Sequence, residues 1–355
     1  KVGTMEGRNV PFDSDHVRQE VLHTITLDYG DTTDIAPDIK LTFHNAGHIL
    51  GSAQAHFHIG EGTYNVLFSG DIKYEKSWLY NAAVNKFPRV ETVVMESTYG
   101  GRNNHQPPRQ KASQEICNIA NDTVERGGRL IVPVFAVGRS QEVMLVLEEH
   151  MARGNIPEVP IYLDGMIWEA TAIHTAYPEF LNNKLQNQIL HEDENPLLSE
   201  RFVRVDSHER RKEILASEDP CIVLATSGMV SGGPVMEYLR EWAPDPKSTL
   251  VFVGFQASGT LGNKLQRGRR EIPVTEGGRS TAVKMEMQVE TVDGFSGHSD
   301  RNQLWNYVAN MKPRPKNIFF MHGEESRSLD LASSIHKKFR ITTKVPYNLE
   351  THRLY

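Results

Sequence analysis

At 355 residues, with 39% hydrophobic and 24% charged side chains, the chain is long enough for two domains and is neither a disordered nor a fibrous sequence. A net charge of −6 argues against a uniformly basic nucleic-acid binder and leaves room only for a local basic cleft. The longest clean apolar run, LIVPVFAV at 130–137, is too short to span a bilayer, and the N-terminal residues show no signal-peptide pattern, so a cytoplasmic protein with no membrane contact is expected.

In chain order, residues 1–42 hold two histidines, His16 and His23, in SDHVRQEVLH, which reads as a surface helix. Next, LTFHNAGH at 41–48 and AQAHFHIGEGTYNVLFSGD at 53–71 alternate with period two around a glycine turn, which predicts an antiparallel hairpin. Apolar runs at 65–71, 90–97, 129–137, 221–228, 249–255 and 317–323 suit strands buried on both faces of an α/β sheet. Between them, residues 110–127 and 140–154 read as helices, the second stopping at a glycine. The chain thus opens antiparallel and turns α/β. The Pro- and charge-rich patch at 100–111 reads as one domain boundary, and the polar, glycine-rich stretch at 266–282 as a long connection near another. A helix-like RSLDLASSIHKKF then leads into TTKVPYNLETHRLY, which has few charges and reads as a final edge strand.

Several of these strands end on a residue capable of chemistry. FSGD places Asp71 just past a strand, VVMEST does the same with Glu96, and FFMHGEE with His322. DGFSGHSD adds His298, and Gly47-His48 stands where one apolar run gives way to another. Singly, each reads as a cap or a loop residue; Asp300, in GHSD, reads equally as a helix cap or as a group behind a site. Jointly they supply the nitrogen and oxygen donors of a hydrolytic dizinc site, and strand ends along one sheet edge are where α/β proteins assemble such sites. With only Cys117 and Cys221, neither in a C-x-x-C pair, any metal must be held by His, Asp and Glu.

A second feature is anion capture. LATSGMVSGGPVMEYL reads as a strand, a turn containing Ser227, Gly228 and Ser231, and a helix with Pro234 in its first turn. PVFAVGRSQEV repeats the layout with Gly138 and Arg139 at the helix start. Free backbone N–H groups in such turns bind phosphate, although glycines also serve simply to shape βα turns. The basic run NKLQRGRRE, with Lys264 and Arg267, reads either as a solvated face or as a contact to an RNA backbone.

The ordered set AGHILGSA, LFSGDI, MESTYG, FSGHSD and FMHGEE resembles the later signature motifs of the β-CASP group of metallo-β-lactamase-fold nucleases. Within that group the resemblance is to the archaeal cleavage and polyadenylation specificity factors, relatives of the eukaryotic pre-mRNA 3′-end endonuclease and of ribonuclease J. It implies an α/β fold, a metallo-β-lactamase αββα sandwich truncated at its N-terminus, with an inserted β-CASP α/β domain. Residues 1–101 and 297–355 would form the former and 102–296 the latter. It implies that His48 is a zinc ligand, that Asp71 bridges two zinc ions, and that His322 is a ligand of the second. Glu96 and His298 would be the acid and the histidine beside the metals. Chemically, His298 suits protonation of a departing 3′-oxygen, with Glu96 orienting the imidazole and favouring its charged form. The activity implied is that of a zinc-dependent ribonuclease on single-stranded RNA in 3′-end processing, termination or decay, endonucleolytic and with 5′-to-3′ exonucleolysis as a second mode. His322 favours RNA over DNA, because the DNA-processing branch carries a different residue there. Archaeal members are homodimers joined in part through the extreme C-terminus, so residues from about 340 to Tyr355 are expected to be buried in a symmetric dimer.

One part of the family pattern has no counterpart. The first zinc-binding motif, His-x-His-x-Asp-His, is absent upstream of His48, as are the early strands of the sheet and the KH domains of archaeal members. The expectation is the C-terminal part of a nuclease, with zinc occupancy and activity impaired by four missing ligands. The alternative is a non-catalytic RNA-binding or scaffolding subunit. A degenerate paralogue would be expected to lose His48, Asp71, Glu96, His298 or His322, and all are present. A small-molecule metallohydrolase is disfavoured by the long insertion between Glu96 and His298, which matches the inserted domain of the nucleases.

Overall fold

The computed structural model describes residues 12–192, 194–276 and 279–354. Residues 1–11, at the start of the first expected domain, and Tyr355, at the end of the expected dimer segment, lie outside the described residues. Ser14–His23 (α1) is capped by the Asp13 carboxylate, which accepts from the N–H groups of Asp15 and His16 at 3.0 and 3.1 Å. None of its residues is buried, as the sequence leads one to expect.

Four strands then form an antiparallel meander: β1 (Thr32–Ala36), β2 (Ile39–Asn45), β3 (Ala53–Ile59) and β4 (Tyr64–Phe68). Alternation fixes the register, with Leu41 opposite Phe57 and Phe57 opposite Val66. The next strand, β5 (Thr92–Glu96), runs parallel to β4.

The middle of the chain builds a second unit from α2 (Arg109–Glu125), β6 (Leu130–Pro133), α3 (Arg139–Ala152), β7 (Ile161–Asp164), α4 (Ile167–Ala176), α5 (Asn183–His191), β8 (Phe202–Val205), α6 (His208–Ala216), β9 (Ile222–Ala225), α7 (Val235–Trp242), β10 (Thr249–Phe252), α8 (Leu261–Gln266), β11 (Glu271–Glu276), β12 (Arg279–Lys284) and β13 (Gln288–Thr291). Six of these strands form one parallel sheet in the order β13-β10-β6-β9-β7-β8. The apolar runs are explained by burial on both faces. Leu130, Val132 and Leu224 pack with Ile116, Val143 and Leu147 of α2 and α3, while Ile131, Val223 and Phe252 pack with Val235, Leu239 and Trp242 of α7.

The chain returns to the first sheet through α9 (Arg301–Ala309), β14 (Asn317–Met321), α10 (Glu325–Phe339) and β15 (Thr342–Lys344), completing the order β1-β2-β3-β4-β5-β14-β15. Buried residues of α10 fall at Ser328, Leu331, Ala332 and Ile335, the spacing of one helix face. With Leu304, Tyr307 and Val308 of α9 they cover Leu67, Val93, Met95, Ile318 and Phe320 on one face of the sheet. On the other face Phe57 and Phe68 pair edge-on, and Phe68 and Met321 are more than a third exposed.

Two stretches depart from expectation. The run 129–137 leaves the strand after Pro133, and Phe135 and Val137 stand exposed in the following loop. The connection expected at 266–282 instead contains an antiparallel hairpin, β11 with β12, that pairs Glu271 with Lys284 through to Glu276 with Arg279. Its glycines Gly277 and Gly278 lie outside the described residues. At the C-terminus β15 is the short edge strand expected. Beyond it the chain lies against its own sheet, with the Tyr64 hydroxyl donating to the Leu354 carbonyl at 2.6 Å and His352 packed on Phe319. Among the described residues no helix is long and apolar enough to cross a membrane.

Candidate metal centre

Three parallel strands deliver three of the expected residues to one edge of the first sheet. Asp71 follows β4 by three residues, Glu96 is the last residue of β5, and His322 follows β14, whose Met321 is in register with Glu96. His48 arrives from the turn between β2 and β3. That turn requires Gly47, which has φ +70° and a position where a Cβ would stand 2.7 Å from the Asn81 carbonyl oxygen. The Ser52 hydroxyl then accepts from the N–H groups of His48 and Ile49, closing the turn. His298 comes from the loop before α9, where Asp300 is the helix cap and accepts from the Gln303 N–H at 2.8 Å. The cap alternative for Asp300 is therefore the one realised.

One donor atom from each of Asp71, Glu96, His298 and His322 lies within 4.8 Å of all the others. His322 Nδ1 is 2.9 Å from Asp71 Oδ1, and His48 Nε2 is 3.8 Å from Asp71 Oδ2. The Nδ1–H of His48 donates to the Gly297 carbonyl at 2.9 Å, which leaves Nε2 with its lone pair toward Asp71, the arrangement of a metal-ligating histidine. Gly297 permits this approach, since a Cβ there would stand 2.9 Å from His48 Nδ1.

Glu96 is engaged differently. It is fully buried, Oε1 accepts from the Ile72 N–H at 2.7 Å, and both carboxylate oxygens lie 3.1 Å from His298 Nδ1. Burial works against ionising either member of the pair. For Glu96 the His298 hydrogen bond and charge outweigh it, so its pKa falls below the usual carboxylate value. For His298 burial is likewise outweighed by the hydrogen bond and charge of Glu96, with Asp71 adding, so its pKa rises. His48 moves the other way: burial and the neighbouring His298 lower its pKa and keep it neutral, as a ligand must be.

The donor set therefore fits a zinc-like ion in character. His48, Asp71 and His322 would hold it, while Glu96 and His298 are occupied with each other. Among the described residues these three are fewer protein donors than two four-coordinate ions take.

The cluster opens into a cavity of about 760 Å³ between the two sheets, each contributing the C-terminal ends of its parallel strands. Arg139, the first residue of α3, lines it; its guanidinium bonds Glu142 and the Phe295 carbonyl. Gly228 lies against Phe135 at the cavity wall, and Ser227 and Ser231 bond each other at 3.2 Å in the loop after β9. Lys264 and Arg267 are exposed and do not line the cavity, although Asn263 and Gln266 beside them line a neighbouring polar pocket.

Sequence reasoning missed several contributors. Thr98 donates to the His322 carbonyl at 2.9 Å, and its place in MESTYG is a signal that could have found it. Lys73 is buried two residues after Asp71, donates to the His298 carbonyl at 3.2 Å and to Gln106 Oε1 at 3.1 Å, and has its pKa lowered by burial to about 8. Phe135, Phe255 and Arg327 also line the cavity, and no local pattern marks them.

This fold and site define a class, and the chain belongs to the β-CASP family of metallo-β-lactamase-fold proteins. Residues 140–265 match the Beta-Casp domain, and residues 282–346 match the Zn-dependent metallo-hydrolase RNA specificity domain. The relatives it resembles include proteins named transcription termination factor FttA. The one from Methanosarcina mazei is 58% identical over 99% of this chain and 56% of its own length; that from Methanocaldococcus jannaschii is 52% identical over 100% and 56%. The Thermococcus kodakarensis protein is 54% identical over 95% and 52%. The chain thus spans about half the length of the curated relatives it matches.

Proposed function

We propose that the protein of which this chain is part is a zinc-dependent ribonuclease acting on single-stranded RNA during transcription termination, endonucleolytic and with 5′-to-3′ exonucleolysis as a second mode. The observation that carries the reading is the division of labour at the site: His48 and His322 flank Asp71, which suits the three to hold a metal, while Glu96 and His298 beside them bond each other, which suits that pair to proton transfer.

When bound, zinc supplies Lewis-acid polarisation of a phosphoryl oxygen and a nucleophile at neutral pH. The residues of the chain do the rest. Asp71 and His322 stand in contact with each other, and His48 is oriented by its bond to the Gly297 carbonyl. Glu96 holds His298 protonated at Nδ1 and raises its pKa, so that Nε2–H delivers a proton to the 3′-oxygen as its bond to phosphorus breaks. Arg139, with the backbone of the Ser227–Gly228–Ser231 turn, and Lys264 and Arg267 further out, is the proposed set of phosphate contacts. The same reading divides the chain into 1–101, 102–296 and 297–355, supported by the membership of the two sheets. It also takes the protein to be a homodimer through its C-terminal segment.

The test compares zinc content and RNA cleavage of this chain with those of a chain extended upstream to the length of its relatives. The extended chain should hold two zinc ions and cleave unpaired RNA, with loss on chelation, and this chain should hold zinc weakly or at one site and cleave poorly. An extended chain that holds zinc and binds RNA but never cleaves it would support the binding-subunit reading instead.

A further inference from the structure

Phe255 is a wall shared by two cavities. On one side lies the metal-site cavity of about 760 Å³; on the other lies a polar pocket of about 390 Å³, and Gly254, Phe255 and Ser296 line both. The two sides differ in chemistry. The metal side presents Phe135, Val137, Ile49 and Phe255 at 47%, 40%, 37% and 42% exposure, an unusual degree of apolar exposure for a site of this charge. The far side is lined by amides, including Asn103, Asn104, Gln256 and Asn263, together with Asp293 and Tyr99.

Phe255 is not loose. Tyr99 meets it edge-on with ring centroids 6.4 Å apart, and the same Tyr99 ring lies 6.3 Å from that of His298. Behind it Gln256 is 5% exposed and donates to the Gly228 carbonyl at 2.7 Å, tying the β10 loop to the β9 loop. The Phe255 ring thus stands one aromatic ring, that of Tyr99, away from the proposed proton donor.

Resting on the ribonuclease reading above, we propose that Phe255 is a wedge that splays the two nucleotides flanking the scissile phosphate of a single RNA strand. One base stacks on the apolar metal-side wall formed by Phe255 and Phe135. The other enters the polar pocket, where the amides and Asp293 meet its Watson–Crick edge. The occupant follows from the ribonuclease reading: Arg139 and Arg327, paired with Glu142 and Glu324, line the same cavity as the metal cluster, and a phosphodiester seated there leaves the bases on both sides to find a surface. Aromatic faces accept any base, and amide-lined pockets discriminate among them. The substrate class is accordingly unpaired RNA, tolerant of sequence on the stacked side and selective on the pocket side. A duplex is disfavoured because parting a paired and stacked step around a ring carries an unstacking cost that a single strand does not have to meet.

The experiment uses the full-length protein with zinc and a single-stranded RNA carrying 2-aminopurine at successive positions, with phosphorothioate linkages that slow cleavage, read before turnover. Binding should relieve 2-aminopurine quenching at two adjacent positions only, through loss of base–base stacking at that step. Phe255→Ala should abolish the localised signal and weaken binding by about 5- to 150-fold, the range for losing one aromatic–base stack. Phe255→Leu keeps bulk without an aromatic face and should weaken binding similarly, whereas Phe255→Trp should restore both signal and affinity. Asn263→Ala should change which base is preferred on one side of the step and leave the other side unchanged. A protein that cleaves RNA normally while showing no localised unstacking, or the same signal in Phe255→Ala, would overturn the wedge and leave the nuclease reading standing. Localised, Phe255-dependent unstacking in a protein that never cleaves RNA would uphold the wedge and remove the nuclease reading.

Discussion

Glu96 and Asp71 sit at the ends of neighbouring strands and carry the same functional group, yet their surroundings assign them different work. Glu96 has no exposed surface and gives its oxygens to a backbone N–H and to His298; Asp71 is about a third exposed and faces two histidines. Substituting each should therefore fail in its own way. Asp71→Ala is expected to strip the metal, read as zinc content after gel filtration. His298→Ala should keep it and slow cleavage in the full-length protein by about 10²–10⁴-fold, the usual loss for a general acid. If the metal leaves with His298 and stays without Asp71, the two roles are reversed. Gly297 offers a finer probe, because its missing Cβ makes room for His48 Nδ1 and for Arg139. Gly297→Ala should weaken zinc binding with little change in urea midpoint; an unaltered zinc affinity would show that His48 does not need that contact. That Asp71, Glu96, His298 and His322 come together was legible in the sequence because they stand at strand ends or in short, recognisable motifs. Phe135 and Phe255 were not, since an apolar residue that leaves a strand to line a cavity looks the same as one that continues it.

At the scale of elements, the β2–β3 pair carries a feature unrelated to the site. His56 is fully buried on β3, its Nδ1 is 3.4 Å from His44 Nε2, and its ring is 4.3 Å from that of His58 and 5.5 Å from that of Phe87. Burial first, then the charges of His58 and His44, depress its pKa to about 4, with Glu91 opposing. The folded state thus binds fewer protons than the unfolded state between the ordinary histidine value of about 6.5 and about 4. This contribution to stability is fully present above the upper value and is lost as pH falls toward the lower one, by at most ~3 kcal/mol. Urea midpoints should drop on acidification through that window, and His56→Leu should flatten the slope; an equally steep slope in the variant would place the pH dependence in other groups. The elements themselves were read well wherever periodicity was strong, as in the meander and in α2 and α3. The β11–β12 hairpin escaped because Pro273 sits inside a strand and a Gly-Gly pair follows it, a composition that argues for a loop. Pairing with a single partner strand tolerates such a residue, and sequence alone does not reveal that partner.

On the scale of the whole molecule, the sheet order could not be read from the chain, because β5 pairs with β14 across more than two hundred intervening residues. The same long return brings the C-terminal tail back to the edge of the first sheet, where β15 is the last strand and, among the described residues, has a partner on one side only. The tail that follows is held by the Tyr64 hydroxyl on the Leu354 carbonyl, by His352 on the Phe319 ring and by the Tyr347 hydroxyl, which donates to the Glu325 carboxylate at 3.1 Å, while Tyr347 and Leu349 remain exposed at 71% and 103%. A backbone edge and two apolar side chains held in place by their own sheet form a surface that a second copy can complete by the same contacts in reverse, as two-fold symmetry demands. We therefore expect a dimer in solution. Truncation after Lys344, or Leu349→Asp in the intact tail, should halve the mass measured by light scattering at micromolar protein while leaving the urea midpoint near that of the parent. The point substitution guards against a tail whose loss merely uncovers Phe319. A parent chain already monomeric at that concentration, or a truncated chain that keeps the mass of two, would remove the C-terminal edge as the interface.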